Sequence, residues 1–221
     1  SRADRVHYYL GVCQLQSGKY ADAAAAFQQV VARFPNFDNL DGARYNLGMA
    51  LYQLAATSKK ADDFRAAAAA LAEAAAKHPQ SKHADRSLYY QGEALVAAGD
   101  AAASLEPYKR LLTNYAASPL RGEARYALGV SHQDLKQHAE AAAVFAAFLA
   151  DPALLKSDLA GEVRLRLGLS LFETKKYAEA EPEDAAAAAA GPQPDFALLR
   201  QGECRLEQGR PLEAAPLFAS L

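Results

Sequence analysis

One short pattern recurs six times along the chain, and a repeat of this length decides the architecture before any other feature is weighed. The segments HYYLGVCQLQSGKY (from His7), RYNLGMALYQLA (from Arg44), LYYQGEALVAAGD (from Leu88), RYALGVSHQDLKQH (from Arg125), RLRLGLSLFETKKY (from Arg164) and LLRQGECRLEQGR (from Leu198) align on Gly11, Gly48, Gly92, Gly129, Gly168 and Gly202. Successive glycines stand 37, 44, 37, 39 and 34 residues apart, a period in the mid thirties that suits a helical hairpin. A second helical stretch follows each glycine, clearest as Ala23, Phe27, Val30 and Phe34, as Ser104, Tyr108, Leu111 and Tyr115, and as Ala141, Phe145 and Phe148. Spacings of three and four put each set on one stripe of a helix. Gly18-Lys19-Tyr20, Gly99-Asp100 and Gly209-Arg210-Pro211 punctuate the turns, and Pro35, Pro79, Pro119, Pro152 and Pro192 close the units by disfavouring helix in the residue before them. Nothing reads as a strand, and the pattern predicts eleven or twelve helices.

Composition narrows the function. The 221 residues are 51% hydrophobic but only 9% aromatic, so alanine supplies much of the apolar count and thin layers of close-packed helices are favoured over a thick core. A formal charge of -2 and a pI near 6.2, with no basic block, argue against a nucleic-acid partner. No uncharged apolar run is long enough for a membrane span. There is no Gly-rich phosphate loop, paired Cys-x-x-Cys, His-Glu-x-x-His or Gly-x-Ser-x-Gly, so no catalytic, cofactor-binding or metal-ligating residue is assigned. His78 and His83 flank Pro79, and His132 and His138 straddle a helix end, without a clear third ligand; they read as solvated or half-packed. Cys13 and Cys204 each follow a repeat glycine by two residues, where Ala50, Ala94, Ser131 and Ser170 stand elsewhere. They are expected to be small buried packers, too far apart along an array to form a disulfide.

These residues resemble the tetratricopeptide repeat family, whose signature sets a Leu-Gly pair in the first helix, Ala and then an aromatic in the second, and a closing proline. The first repeat carries Leu10-Gly11, Gly18, Tyr20, Ala23, Phe27 and Pro35. The resemblance implies an all-α, right-handed superhelical solenoid of antiparallel helix pairs. Five repeats and a truncated sixth, at about 4–37, 41–80, 85–118, 122–154, 161–192 and 195–221, would make a single domain over 1–221. It also implies a non-enzymatic scaffold that binds a protein or peptide partner in a concave groove. The long links FPNFDNLDGARYNLG and HPQSKHADRSLYYQG are similar to those of the bacterial cell-envelope type, associated with Tol-Pal and outer-membrane assembly, which implies a periplasmic or envelope setting. The family's Lys and Asn clamp for a terminal carboxylate is not carried over, because tyrosine replaces the lysine and no asparagine follows the glycines.

Positions three before, one after and four after each glycine share a helix face opposite the Leu-Gly pair. On that face stand Tyr8, Tyr45, Met49, Tyr52, Tyr89, Glu93, Tyr126 and Val130, the candidate groove. Tyrosine joins a broad apolar ring to a polar tip and suits a peptide-binding surface. The same spacing equally suits tyrosines that stiffen the array by packing between successive first helices, and both readings stand at this point. Glu123, Asp134, Glu162, Glu173, Glu203 and Glu207 make the late part of the face acidic, as expected of a solvated surface or of a basic ligand.

Departures from the pattern carry their own expectations. About seven extra residues around Thr57-Ser58-Lys59-Lys60 should form an exposed loop. The fifth repeat puts Asp184 where others have an aromatic or leucine, adds Pro182 and runs on as Ala185 to Ala190, so its second helix should be the weakest element. Asp134 to Glu140 lacks a turn glycine. The chain opens at Ser1 inside a helical pattern, as an excised or processed piece would. Two rivals to the groove follow: a structural assembly module that self-associates through its ends, and the docking arm of a larger enzyme.

Overall fold

A computed structural model of the chain describes residues 2–221. Among them are twelve α-helices and no strand: α1 (Arg2–Gln16), α2 (Tyr20–Arg33), α3 (Leu40–Ser58), α4 (Ala61–Lys77), α5 (Ala84–Ala97), α6 (Ala101–Asn114), α7 (Arg121–Asp134), α8 (His138–Leu149), α9 (Ala160–Glu173), α10 (Tyr177–Ala190), α11 (Pro194–Glu207) and α12 (Pro211–Ala219). A 3-10 turn, Leu154–Lys156, precedes α9. The helices gather into two compact units, 1–121 and 122–221. In the first, each helix from α1 to α6 packs on the next, and the first helices α1, α3 and α5 also touch in order. In the second, α8 packs on α9, α9 on α10, α10 on α11 and α11 on α12, with α9 touching α11. No described helix is long and apolar enough to cross a membrane.

Each hairpin closes on its repeat glycine. A side chain of the second helix lies so near that an added Cβ would collide with it: Phe27 at Gly11 (2.9 Å), Leu71 at Gly48 (2.6 Å), and in the same way Tyr108 at Gly92, Phe145 at Gly129, Asp184 at Gly168 and Phe218 at Gly202. Phe27, Leu71, Tyr108 and Phe145 are wholly buried, each stabilising its hairpin by about 1.5–3 kcal/mol. Alanines around them let the helices approach.

This knob also shows where the second repeat hides its extra residues. The knob follows the glycine by 16 residues in five hairpins but by 23 in the second. Contrary to expectation they form no loop. They lengthen both helices, α3 to 19 residues and α4 to 17, leaving Lys59 and Lys60 as the whole connection. Thr57 to Lys60 are nonetheless exposed. Alanine-rich sequence on either side makes added helical turns less costly than a loop.

All six turns within hairpins need one residue in the left-handed region. Gly18, Gly99 and Gly209 supply it at φ 74, 81 and 73°, and Lys59, Lys136 and Lys175 supply it at 57, 59 and 61°. The turn after α7 has a helix-ending pair of backbone bonds, Lys136 N–H to Gln133 O and Gln137 N–H to His132 O, and the turns around Gly99, Lys175 and Gly209 repeat it. The absent glycine near Lys136 therefore leaves the turn intact at a local cost.

Links between hairpins repeat as well. Phe37 N–H bonds Phe34 O and Leu40 N–H bonds Phe37 O; Ser81 with His78 and Ala84 with Ser81 do the same, as do Ser118 with Tyr115 and Arg121 with Ser118. The link hydroxyls of Ser81 and Ser118 each donate at 2.6 Å to a carboxylate in the preceding first helix, Asp41 and Asp85. Burial raises the Asp41 pKa, but Ser81, the Gly42 N–H and nearby His83 and His78 outweigh it and hold it below the usual carboxylate range.

The fifth hairpin is built differently. Asp184 is completely buried, accepts a bond from the Cys204 thiol at 3.4 Å through Oδ2, and leaves Oδ1 without a partner. Burial pushes its carboxyl up to about 6, against the pull of Cys204 and Arg200, and pushes the Cys204 thiol up to about 12. Helix α10 forms through Pro182 all the same. Glu181 accepts bonds from Arg205, Gln208 and Arg210, and Glu183 from Arg164, so charged ties supply what the knob does not.

Both cysteines are free thiols. Cys204 is buried as expected, but Cys13 is exposed. At the same repeat position, Ala50 is buried with Ala24 and Phe27 of α2, and Ala94 with Ala67 and Ala68 of α4.

Two stability changes follow. Replacing Lys136 by Gly relieves the left-handed strain and should gain up to about 1 kcal/mol, a rise in Tm of roughly 2–4 °C on thermal unfolding. Asp184 titrates near 6 when folded against 3.8 in an ordinary carboxyl. Below the lower value both states are protonated and there is no penalty. As pH rises between the two, the unfolded chain ionises first and stability falls, by roughly 3 kcal/mol in all at about 1.36 kcal/mol per pKa unit. Urea melts across this window should show Asp184→Asn losing less stability than the wild type as pH rises, and Asp184→Leu, which refills the slot as Leu71 does, should be the more stable protein at neutral pH.

Candidate functional site

The face predicted from the sequence exists in two separate stretches. Tyr8, Tyr45, Met49, Tyr52, Tyr89 and Glu93 belong to the first unit, and Tyr126 and Val130 to the second. Every one of the eight is half-buried. Each is partly packed and partly exposed, so the anchoring and stacking readings each describe part of the same side chain.

In the first unit the rings hold one another. Tyr8 meets Phe27 and Phe37 at centroid distances of 5.8 and 5.4 Å. Tyr45 lies flat on His83 at 4.7 Å and 6°. Burial lowers the His83 pKa, which favours a neutral imidazole in that stack. Tyr52 meets Phe64 of α4 and Tyr90 of α5, and Tyr89 meets Tyr90 and the buried knob Tyr108. Burial raises the phenol pKa of Tyr45, Tyr52 and Tyr108. Glu93 accepts the Tyr108 hydroxyl at 2.5 Å, so one carboxylate oxygen locks the knob while the side chain stays half open. Val96, at the far end of the α5 face, is exposed.

A regularity missing from the sequence reading runs between hairpins. At four of the repeat glycines, the residue two before reaches back to an aromatic of the preceding first helix. Asn46 donates to the Tyr8 hydroxyl at 3.3 Å, and Tyr90 packs on Tyr52. In the second unit Arg166 donates to the Tyr126 hydroxyl at 3.0 Å, and the Arg200 guanidinium sits 3.8 Å above the Phe172 ring. Asparagine, tyrosine and arginine make these contacts, so no single letter marks the slot. Only the constant offset from the glycine could have found it.

The second stretch is more closed. Tyr126 and Val130 pack against the cluster around Phe145, Phe148 and Val163, and Leu165, the α9 counterpart of the tyrosines, is buried. Three of its six acids are engaged within the fold: Glu162 pairs with Arg166, Glu203 with Arg200, and Glu207 accepts from Tyr177. Glu123, Asp134 and Glu173 are exposed. Among the described residues no three His, Cys, Asp or Glu gather to hold a metal ion. A cleft of about 570 Å³ between the links at Pro35–Asp41 and Lys77–Ser81 is open and lined by turn residues.

Helical hairpins closed on a glycine, stacked so that successive first helices present a common face, define the helical-repeat class whose faces bind other proteins. Models of the tetratricopeptide repeat match residues 4–37 and, in overlapping windows, 59–119, 89–153 and 126–195. With most of its length matched, the chain belongs to the tetratricopeptide repeat family. Similar solved structures include a tetratricopeptide repeat protein from Parabacteroides merdae, at 15% identity and a TM-score of 0.67, over 100% of this chain and 79% of that one. The C-terminal part of a TPR repeat-containing protein from Cytophaga hutchinsonii scores 0.67 at 14% identity, over 96% and 76%. MamA from Desulfovibrio magneticus scores 0.62 at 19%, over 80% and 92%. At such identities the likeness is one of fold. No curated protein matches the sequence.

Proposed function

We propose that the chain is a non-enzymatic scaffold whose first unit docks a partner segment on the face of Tyr45, Met49, Tyr52, Tyr89 and Glu93, with Tyr8 at one edge. The observation that carries this reading is the state of the aromatics, half open yet each held by a neighbouring ring. A ring already fixed loses little freedom on binding, and aromatics of that kind are typical interface anchors. The open flanks of the rings, Met49 and the exposed Val96 suit apolar side chains, and the remaining oxygen of Glu93 suits a single basic group. Tyr126 and Val130 serve their own unit mainly as packing, which leaves them a minor share of any contact.

Peptides selected from a displayed random library on the immobilised protein test this. They should carry apolar residues at helical or extended spacing and compete with one another. Met49→Asp and Val96→Asp should each weaken them at least tenfold, about 1.4 kcal/mol, with Tm little changed because neither side chain is in the buried core. Tyr89→Ala should weaken them further, by about 2 kcal/mol or more as interface anchors do. A set of selected peptides indifferent to all three changes would remove the face from consideration.

A further inference from the structure

Inside the second unit one arrangement is built twice, a guanidinium against an aromatic ring with a carboxylate beside it. Arg166 of α9 has its guanidinium carbon 5.4 Å from the Tyr126 ring centre and donates to Glu162 at 2.8 Å. Arg200 of α11 lies 3.8 Å from the Phe172 ring centre and donates to Glu203 at 2.6 Å. Both arginines stand two residues before a repeat glycine, and Glu203 stands one residue after it. Ring and charge together hold a flat, weakly hydrated guanidinium better than they would hold an ammonium group.

The first unit has the ring and the carboxylate of this arrangement without the cation. Glu93 of α5, one residue after Gly92, is in the register of Glu203, and Tyr52 of α3, four after Gly48, is in the register of Phe172. Tyr90 takes the position of Arg200 and packs on Tyr52 at a centroid distance of 5.7 Å. Glu93 is half-buried all the same. Its Oε1 accepts the hydroxyl of the buried Tyr108, and among the described residues no lysine or arginine pairs with Oε2. Burial raises the Tyr52 phenol pKa and the charge of Glu93 raises it further, which sets that charge close to the ring. Tyr89, one helical turn before Glu93, is half-buried on the same face. A half-buried carboxylate that is fixed by a hydroxyl, bordered by tyrosines and left without a counter-charge is complementary to one cationic side chain.

Building on the docking role of this face, we propose that it selects an arginine of the partner segment, whose guanidinium lies against Tyr52 and Tyr89 and donates to Oε2 of Glu93. The partner thereby supplies what Arg200 supplies within the second unit. Arginine is favoured over lysine because its planar fork stacks and donates at once, whereas an ammonium group holds its water more tightly.

Peptides selected from a displayed random library on the immobilised 221-residue chain should share one arginine at a fixed distance from their apolar residues. In a synthetic peptide of that consensus, citrulline in place of the arginine keeps the shape, removes the charge and should weaken binding about tenfold or more. Lysine there should recover only part of the loss. Glu93→Gln keeps an acceptor for the Tyr108 hydroxyl, so its circular dichroism should match the parent. It should bind the arginine peptide about tenfold more weakly and no longer distinguish arginine from citrulline. The citrulline comparison uses the parent protein and stands whatever the variant does. Peptides that converge and are weakened by Met49→Asp, yet share no arginine, bind as well with citrulline or lysine, or ignore Glu93→Gln, would overturn the arginine site and leave the docking face standing. Peptides indifferent to Met49→Asp as well would remove both.

Discussion

The contact between a repeat glycine and the knob of the following helix is the interaction on which the rest depends. Because Gly11, Gly48, Gly92, Gly129, Gly168 and Gly202 have no Cβ, the second helix can lie close enough to put a ring, a leucine or a carboxyl directly over the first. Many of the residues around this contact are alanine, which adds little buried area of its own. The knob shares the apolar burial with a few larger neighbours, such as Val30, Leu111 and Phe148. The second repeat can lengthen both helices without disturbing its neighbours because the added residues lie beyond the knob, toward the turn.

Closing each hairpin on one face of its first helix leaves the opposite face for contacts along the array. Asn46 to Tyr8 and Tyr90 to Tyr52 in the first unit, and Arg166 to Tyr126 and Arg200 to Phe172 in the second, fasten successive first helices by different chemistry at one geometric position. The tyrosines end half-buried for that reason. Their packed sides hold the hairpins together, and their open sides are left rigid and available. On the proposed function, stability and recognition draw on the same rings, so a substitution there is read cleanly only when folding and binding are both measured.

Much of this was legible in the sequence because the repeat gives six copies of the same instruction. The helices, hairpin order, closing prolines and aromatic knobs follow from spacing alone, and family models match the regions that carry them. Sequence reasoning failed where a position depends on its neighbour in space. Lys59, Lys136 and Lys175 adopt the conformation that glycine holds in the other turns, and at Lys136 and Lys175 the same pair of helix-ending backbone bonds accompanies it. Thr57 to Lys60 looked like an inserted loop because length was visible but the helical fate of the flanking alanines was not. Cys13 and Cys204 share one repeat position and have opposite exposure, a difference set by whether another helix lies across the slot. Glu93 looked like a groove acid, and its bond to Tyr108 became visible only when α5 and α6 were brought together.

Replacing Gly92 or Gly129 by alanine tests the central contact most directly, because two effects oppose each other in sign. In the middle of a helix the change favours the helix intrinsically by about 1 kcal/mol. Against this, the new Cβ meets the buried ring of Tyr108 or Phe145 and should cost about 1–3 kcal/mol or more as overpacking. Equilibrium unfolding of Gly129→Ala is the measurement. A clear loss of stability is the result this account requires, and a protein as stable as the parent, or more so, would contradict it.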